Sequence, residues 1–398
     1  MSATILCIAS YEKGAAFLEE CRRLDCPVIL VTVEKLRDAG WPRAAIDELH
    51  WLADFEDRQR VIHGVSWLAR TRDIARIVAL DEFDLELAAS LREHLRLAGM
   101  GETAVRFVRD KLAMRARAAS AGISVPRFTG VFNDAAVAFF TGRVPPPWLL
   151  KPRTEAASIG IRRIEGPARL AAALEELGDR RSHFLVEAYV KGPVFHVDSV
   201  VAGGEVRFAA ASRYATPPLE VVHAGGLFCS CIVARGSADE RALLEANAAV
   251  AAALGIERGA LHTEFIRAEA DGSFMFLETA ARVGGANIVE MVEAATGVNL
   301  WREWARVEVA DLRNEAYEAP APRQDYAGIL ISLSRQEWPD TSAYDDPEVV
   351  WRLGRRHHAG LIVASPDYAR VAVLLESYME RFRDEFLATL PPPDKPTA

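Results

Sequence analysis

Over residues 1–105 short apolar runs alternate with amphipathic stretches, and this alternation limits the possible fold more than any other feature of the chain. "TILCIASY", "PVILVTV" and "ARIVALD" have the length and branched content of buried strands. "GAAFLEECRRL", "RQRVIHGVSWLART" and "DLELAASLREHLRL" have helical periodicity. Strands alternating with helices predict a parallel sheet with helices on its faces. The first turn, "SYEKGAA", lacks the G-x-G-x-x-G pattern, which removes the dinucleotide fingerprint.

At 398 residues the chain is too long for one core and predicts two or three domains. Further along, "RDKLAMRARAASAGISVPRF" predicts a helix ended by Gly122, and "PPPWLLKP" a proline-marked entry into a strand carrying Lys151. "VFHVDSVVAGGEVRFAAAS" predicts a hairpin turning at Gly203–Gly204. "SADERALLEANAAVAAALGI" predicts a helix with Ser237 as N-cap and Glu240 three residues later. A polar link, "RNEAYEAPAPRQD", leads to three more strands and a closing helix.

The net charge of −9 argues against broad nucleic-acid binding, which needs a basic face, but leaves room for a small anionic ligand. No stretch reaches the ~18 apolar residues of a membrane helix. "MSATILCIASYEKG" reads as a first strand and not as a signal peptide. The five cysteines, Cys7, Cys21, Cys26, Cys229 and Cys231, have no framework spacing and predict reduced thiols and a cytoplasmic home. Only six lysines stand among many arginines, at 13, 35, 111, 151, 191 and 395, so each marks a place where a compact charge suits better than a planar fork.

The stretch "FLETAARVGG" ends an apolar strand on Glu278, with Arg282 and Gly284–Gly285 close behind. Upstream lies "LHTEFIRAEADGSFMFLE". A three-residue loop at Ala270–Gly272 would set Glu264 opposite Glu278 and place His262, Glu264, Phe276 and Glu278 on one face. Leu261, Thr263, Phe265, Met275 and Leu277 would then occupy the other. A two-residue loop would pair Glu264 with Thr279 and separate the two acids. Opposed carboxylates destabilise a sheet unless something compensates, and a hard divalent cation does so with oxygen ligands. "HTE" without a downstream P-C-x-x-C does not make a deaminase site. Cys229 and Cys231 alone do not make a zinc site.

In this order and spacing the residues resemble the ATP-grasp superfamily, specifically its carboxylate–amine ligases. "RDKLAMR" resembles the helix of the first nucleotide lysine, Lys111, and "WLLKPRTEAASIGI" the strand and phosphate loop with Lys151, Ser158 and Gly160. "FLVEAYVKGPVFHVD" resembles the adenine-binding strand, with Glu187, Ala188, Tyr189 and Val190 at the purine. The last block resembles the metal and substrate end. There the resemblance implies Glu264 and Glu278 as ligands to Mg²⁺ (or Mn²⁺), with Arg282 on the phosphate or acyl-phosphate. "HAGGLF" is read as a loop bringing His223, Gly225 and Gly226 to the substrate, with Gly285 beside them. The chain departs from the family at Ala280, where Asn is frequent. It also departs in the glycine-poor loop after Lys151, and at Val194, where a ribose-binding Glu is usual and His196 or Asp198 could substitute.

The implied architecture is multidomain α/β and α+β. Residues 1–105 form a parallel α/β domain; residues 106–310 form an ATP-grasp domain with lobes 106–183 and 184–310. A C-terminal α+β subdomain spans 311–390, and 391–398 is a disordered tail. The implied activity is an ATP-dependent ligation of a small carboxylate, such as an amino acid, to an amine, with Lys151 and Arg282 in catalytic roles. Biotin-carboxylase-like, phosphotransferring and non-catalytic ATP-binding readings are the alternatives. A homodimer is the default assembly, with neither nucleic acid nor membrane as partner.

Overall fold

The computed structural model describes residues 3–156 and 158–389. The expected tail at 391–398 lies outside them. Three sheets organise the chain. The first is parallel, in the order β3-β2-β1-β4, from β1 (Thr4–Ala9), β2 (Val28–Val33), β3 (Glu48–Leu52) and β4 (Ile74–Ala79). All six residues of β1 and of β2 are buried, as a sheet covered on both faces requires.

The second sheet is antiparallel, in the order β5-β8-β6-β7, from β5 (Phe128–Gly130), β6 (Trp148–Pro152), β7 (Arg162–Ile164) and β8 (Phe184–Ala188). It has its own core, in which Trp148, Leu150 and Val186 pack against Leu170 and Leu174 of the helix Pro167–Leu177. That core is separate from those of the other two sheets.

The third sheet has eight strands, in the order β13-β12-β9-β10-β11-β14-β16-β15. They are β9 (Val194–Ala202), β10 (Glu205–Tyr214), β11 (Phe228–Ile232), β12 (Arg258–Arg267), β13 (Phe274–Ala280), β14 (Tyr326–Leu333), β15 (Val349–Arg352) and β16 (His358–Ser365). β9 and β10 join through Gly203 and Gly204, both at positive φ (63° and 77°), the conformation a two-residue hairpin demands. The strands expected in a separate C-terminal part extend this sheet instead, because β14 hydrogen-bonds to β11. The closing helix Tyr368–Glu385 covers them with Leu374, Tyr378 and Phe382.

The parallel sheet and the large sheet share cores. Phe17, on the helix Ala15–Arg23, meets Trp304 of the helix Leu300–Leu312 edge-to-face at 5.4 Å. Around residue 110 two helices replace the one expected, Glu102–Arg109 and Lys111–Ser120. Asp110 separates them, capping the second by accepting from the backbone N–H of Leu112 at 2.9 Å. Ser237 caps the helix Ala238–Ala253 by accepting from Glu240 N–H at 3.1 Å, and the Glu240 carboxylate reaches back to Gly236 N–H at 2.6 Å.

Candidate active site

The β12–β13 hairpin sets Glu264 opposite Glu278 by a route other than the loop parity predicted. Near the turn Arg267 pairs with Phe274, and Ala268 N–H donates to Ser273 at 2.9 Å, leaving a four-residue loop, Glu269–Gly272. That register alone would separate the two acids. The register then shifts between Glu264 and Phe265, where Leu277 is an extra residue, and this bulge restores the pairing. The bulge also reassigns the faces. Phe276 turns into the core against Phe265, at 6.0 Å between rings, while Met275 and Leu277 join Ile266 on the site side.

A cavity open to solvent lies between the small sheet and the large one. Lys151, Ser158, Glu187, Ala188, Tyr189 and Val190 line one wall, and Glu264 and Glu278 lie on the other. Lys151 projects from β6 and forms an ion pair with Glu187 of β8, which Arg115 also holds through Nε and Nη2, each at 3.2 Å. Burial would raise the Glu187 carboxyl, but the Lys151 and Arg115 charges outweigh it and hold the group below its usual range. Two cations around one acid leave this wall with a surplus positive charge. Arg115 was not found by sequence reasoning, although it lies one turn beyond Lys111 on the same helix face.

Lys111 reaches Glu278 at 2.9 Å and donates to the Glu155 carbonyl at 2.5 Å. Its neighbours fasten the same loop. Arg109 donates to the Thr154 carbonyl at 2.8 Å, Arg153 donates to Asp110 at 2.9 Å, and Lys111 N–H donates to the Arg153 carbonyl at 2.8 Å. Residues 109–111 thus clasp the loop 153–155 that follows β6.

Arg282 turns towards the parallel sheet. It donates through Nη2 to Glu82 at 2.6 Å and through Nη1 to its neighbour's carbonyl, Val283, at 2.7 Å. Arg109 takes the other Glu82 oxygen at 2.8 Å. Burial would raise the Glu82 carboxyl, yet the charges of Arg282, Arg109 and Lys111 pull it down to about 2. Arg282 Nε and Arg115 Nη1 are buried and without a hydrogen-bond partner, so each guanidinium retains a donor. Glu82→Gln should cost about 3 kcal/mol in a denaturant titration at neutral pH, because it leaves two buried guanidiniums short of their acid. A folded value near 2 against an unfolded one near 4.3 makes this contribution full above about pH 4.5. It fades as pH falls towards 2, a loss the variant should lack.

Glu264 sits on a buried polar chain that sequence reasoning saw only in part. β12 lies beside β9 with Glu264 opposite His196 and His262 opposite Asp198. The repeated spacing His196-x-Asp198 and His262-x-Glu264 in otherwise apolar strands was the available signal. His196 is fully buried, with Nδ1 at 2.6 Å from Asp198 and Nε2 at 2.7 Å from Ser230. Both ring nitrogens are thereby occupied inside the protein, which corrects the expectation that His196 contacts a ribose. Asp198 is likewise buried and bonded on both oxygens. Burial opposes ionisation of Asp198, but the two histidines hold it far below the carboxylate range. Burial would lower His262, but Asp198 raises it to about 10, so it is an imidazolium at neutral pH.

The glycines predicted for the site do not line the cavity. His223 falls within a helix, Pro218–Ala224, and not in the expected loop; the start of that segment faces the cavity through Pro217–Glu220. Gly225 and Gly226 are not brought to the cavity, and a Cβ on Gly225 would meet Thr389 instead, at 2.8 Å. Gly160 adopts a positive φ of 70° beside Pro152. Gly285 has open space around it, whereas a Cβ on Gly284 would stand 2.7 Å from Asp198 Oδ1. The first glycine of the pair is therefore needed for packing and not for approach to a ligand. Val194 is buried in the cavity wall, and Ala280 pairs with His262.

Residues 144–290, which hold the small sheet and the β9–β13 side of the cavity, match the model of the ATP-grasp domain. The chain carries an ATP-grasp domain. Outside that match, the whole chain shares the fold of solved structures. It superposes on the L-amino acid ligase from Bacillus licheniformis with a TM-score of 0.74 at 20% identity, covering 97% of this chain and 98% of that one. It superposes on the N5-carboxyaminoimidazole synthase from Aspergillus clavatus, in complex with ADP and 5-aminoimidazole ribonucleotide, with a TM-score of 0.71 at 17% identity, covering 96% and 99%. Among curated proteins it is similar to the L-arginine-specific L-amino acid ligase of Bacillus subtilis, 26% identical over 239 residues, 58% of this chain and 57% of that protein. It is also similar to the alanine–anticapsin ligase of Bacillus subtilis, 22% identical over 280 residues, 64% and 58%. The chain spans 46–58% of the length of the curated relatives it matches. Among the described residues no helix is long and apolar enough to cross a membrane.

The ATP-grasp domain fits Mg²⁺ and a nucleotide on its own chemistry. Glu264 and Glu278 are hard oxygen donors facing across one ladder at the edge of the cavity. The Lys111 ammonium already stands at Glu278 as a cation.

Proposed function

We propose that the protein is an ATP-dependent carboxylate–amine ligase that forms an amide through an acyl-phosphate and releases ADP and phosphate. The observation that carries this reading is the pairing of Glu264 with Glu278 at a cavity whose opposite wall holds Lys151, with Lys111 on Glu278. The named ligase relatives support amino acids as the substrate class. The adenine would lie against Glu187–Val190, and the phosphates between Lys111, Lys151 and Ser158. Glu264 and Glu278 would hold Mg²⁺. When bound, the metal neutralises charge on the β- and γ-phosphates.

A substrate carboxylate oxygen attacks the γ-phosphorus as the bond to ADP breaks. The amine then attacks the acyl carbon, a C–N bond forms, phosphate leaves and the amine loses its proton. The residues contribute positioning and charge, which is most of what phosphoryl transfer requires. Arg282, with Nε still free to donate, would meet charge developing on the acyl-phosphate. The small sheet, with its own core, would close over the acyl-phosphate and exclude water. We take the protein to act in the cytoplasm, with a homodimer as its simplest assembly.

The test is ADP and phosphate release from Mg·ATP against pools of amino acids and small carboxylates, each with and without amines. Release that requires both an acid and an amine is expected. Bicarbonate dependence, or a phosphorylated product without an amine, would refute the ligase reading.

A further inference from the structure

The chain Asp198–His262–Glu264 runs from the interior of the large sheet to the edge of the cavity. Asp198 Oδ1 accepts from His262 Nδ1 at 2.8 Å. The other ring nitrogen, Nε2, stands 3.6 Å from Glu264 Oε1. The Tyr214 hydroxyl donates to that same oxygen at 3.0 Å. Both contacts engage Oε1, so Oε2 is the oxygen left to face a ligand. The chain is braced on every side. His196, between the tilted rings of Tyr214 at 4.6 Å and His262 at 5.2 Å, takes the second oxygen of Asp198. Gly284 lies against the pair so closely that a Cβ would stand 2.7 Å from Asp198 Oδ1 and 3.0 Å from His262 Nδ1.

We propose that His262, held by Asp198, is a positioning residue that fixes the Glu264 carboxylate for metal binding, and that Gly284 is a glycine to leave that chain in place. This rests on the reading of Glu264 as a metal ligand. Outer partners that orient a ligand are typically worth about 10- to 100-fold in metal affinity. A histidine that served only the core would leave metal affinity unchanged once the protein had folded.

The experiment uses the full chain, Mn²⁺ followed by electron paramagnetic resonance in the presence of ADP, and ADP binding by calorimetry in EDTA. The two amide replacements divide the ring: Asn keeps a nitrogen near Asp198, and Gln keeps one near Glu264. His262→Asn should weaken Mn²⁺ binding about 10- to 100-fold with ADP binding in EDTA unchanged, and His262→Gln should recover part of the loss. Equal Mn²⁺ affinity in His262→Asn and the parent protein would overturn the proposal. If His262→Asn does not fold, Asp198→Asn tests the same chain with its shape retained, and there too unchanged Mn²⁺ affinity overturns it. A parent protein that binds ADP but no Mn²⁺ overturns the metal reading itself, a result distinct from either of these.

Discussion

Replacing Glu278 with alanine should lower ADP formation by about a thousandfold or more while the protein stays folded. Glu278 stands on an edge strand with a third of its side chain exposed, so its loss strands no buried acid. Its ion-pair partner, Lys111, keeps the Glu155 carbonyl. The transition state, by contrast, would lose half of the carboxylate pair proposed to hold Mg²⁺. Thermal unfolding within a few degrees of the parent, together with near-zero ADP release under the substrate pools above, is the expected pair of results. Undiminished ADP release would remove Glu278 from the site.

Lys111→Met should change two affinities in opposite directions. In the ligand-free protein the ammonium sits on a carboxylate that a metal would otherwise take. A nucleotide phosphate would draw the lysine away and free that carboxylate. Without the lysine, ADP binding should weaken about 10- to 100-fold, the scale of about 1.5–3 kcal/mol for a hydrogen bond to a charged group. Mn²⁺ binding in the absence of nucleotide should strengthen about tenfold, because Glu278 is no longer neutralised. Calorimetry with each ligand alone reads both. If the variant binds Mn²⁺ no better than the parent does, Lys111 is not the resident counter-ion of Glu278.

The local elements were legible because their causes are local. The strand–helix alternation of the first 105 residues, the Gly203–Gly204 turn and the Ser237 cap each depend on neighbours in sequence. The carboxylate pair was legible in outcome and not in cause. The loop has the parity that separates the acids, and the bulge at Leu277, which no residue type announces, brings them back. Contacts between distant strands were out of reach. His196 reads as an accessible polar residue until β12 is known to lie beside its strand, and β11 beyond β10 on the other side, supplying His262 and Ser230. Arg282 reads as a free cation until Glu82, 200 residues earlier, is placed against it. The last three strands looked like a separate unit because β14, which joins them to β11, follows it only after the β12–β13 hairpin and three helices.

The bond between Glu82 and Arg282 bears on how such a protein can be recombined. A crossover placed at the apparent boundary near residue 105 would join an incoming first domain to a catalytic region that still expects an acid at position 82. With a neutral residue there, Arg109 and Arg282 would both lose their shared anchor, and the loop that Arg109 clasps would loosen with them. The first 105 residues, whose cores run into those of the large sheet, are thus not an interchangeable part. Chimeras should work only when the donor carries a carboxylate at the end of its fourth strand.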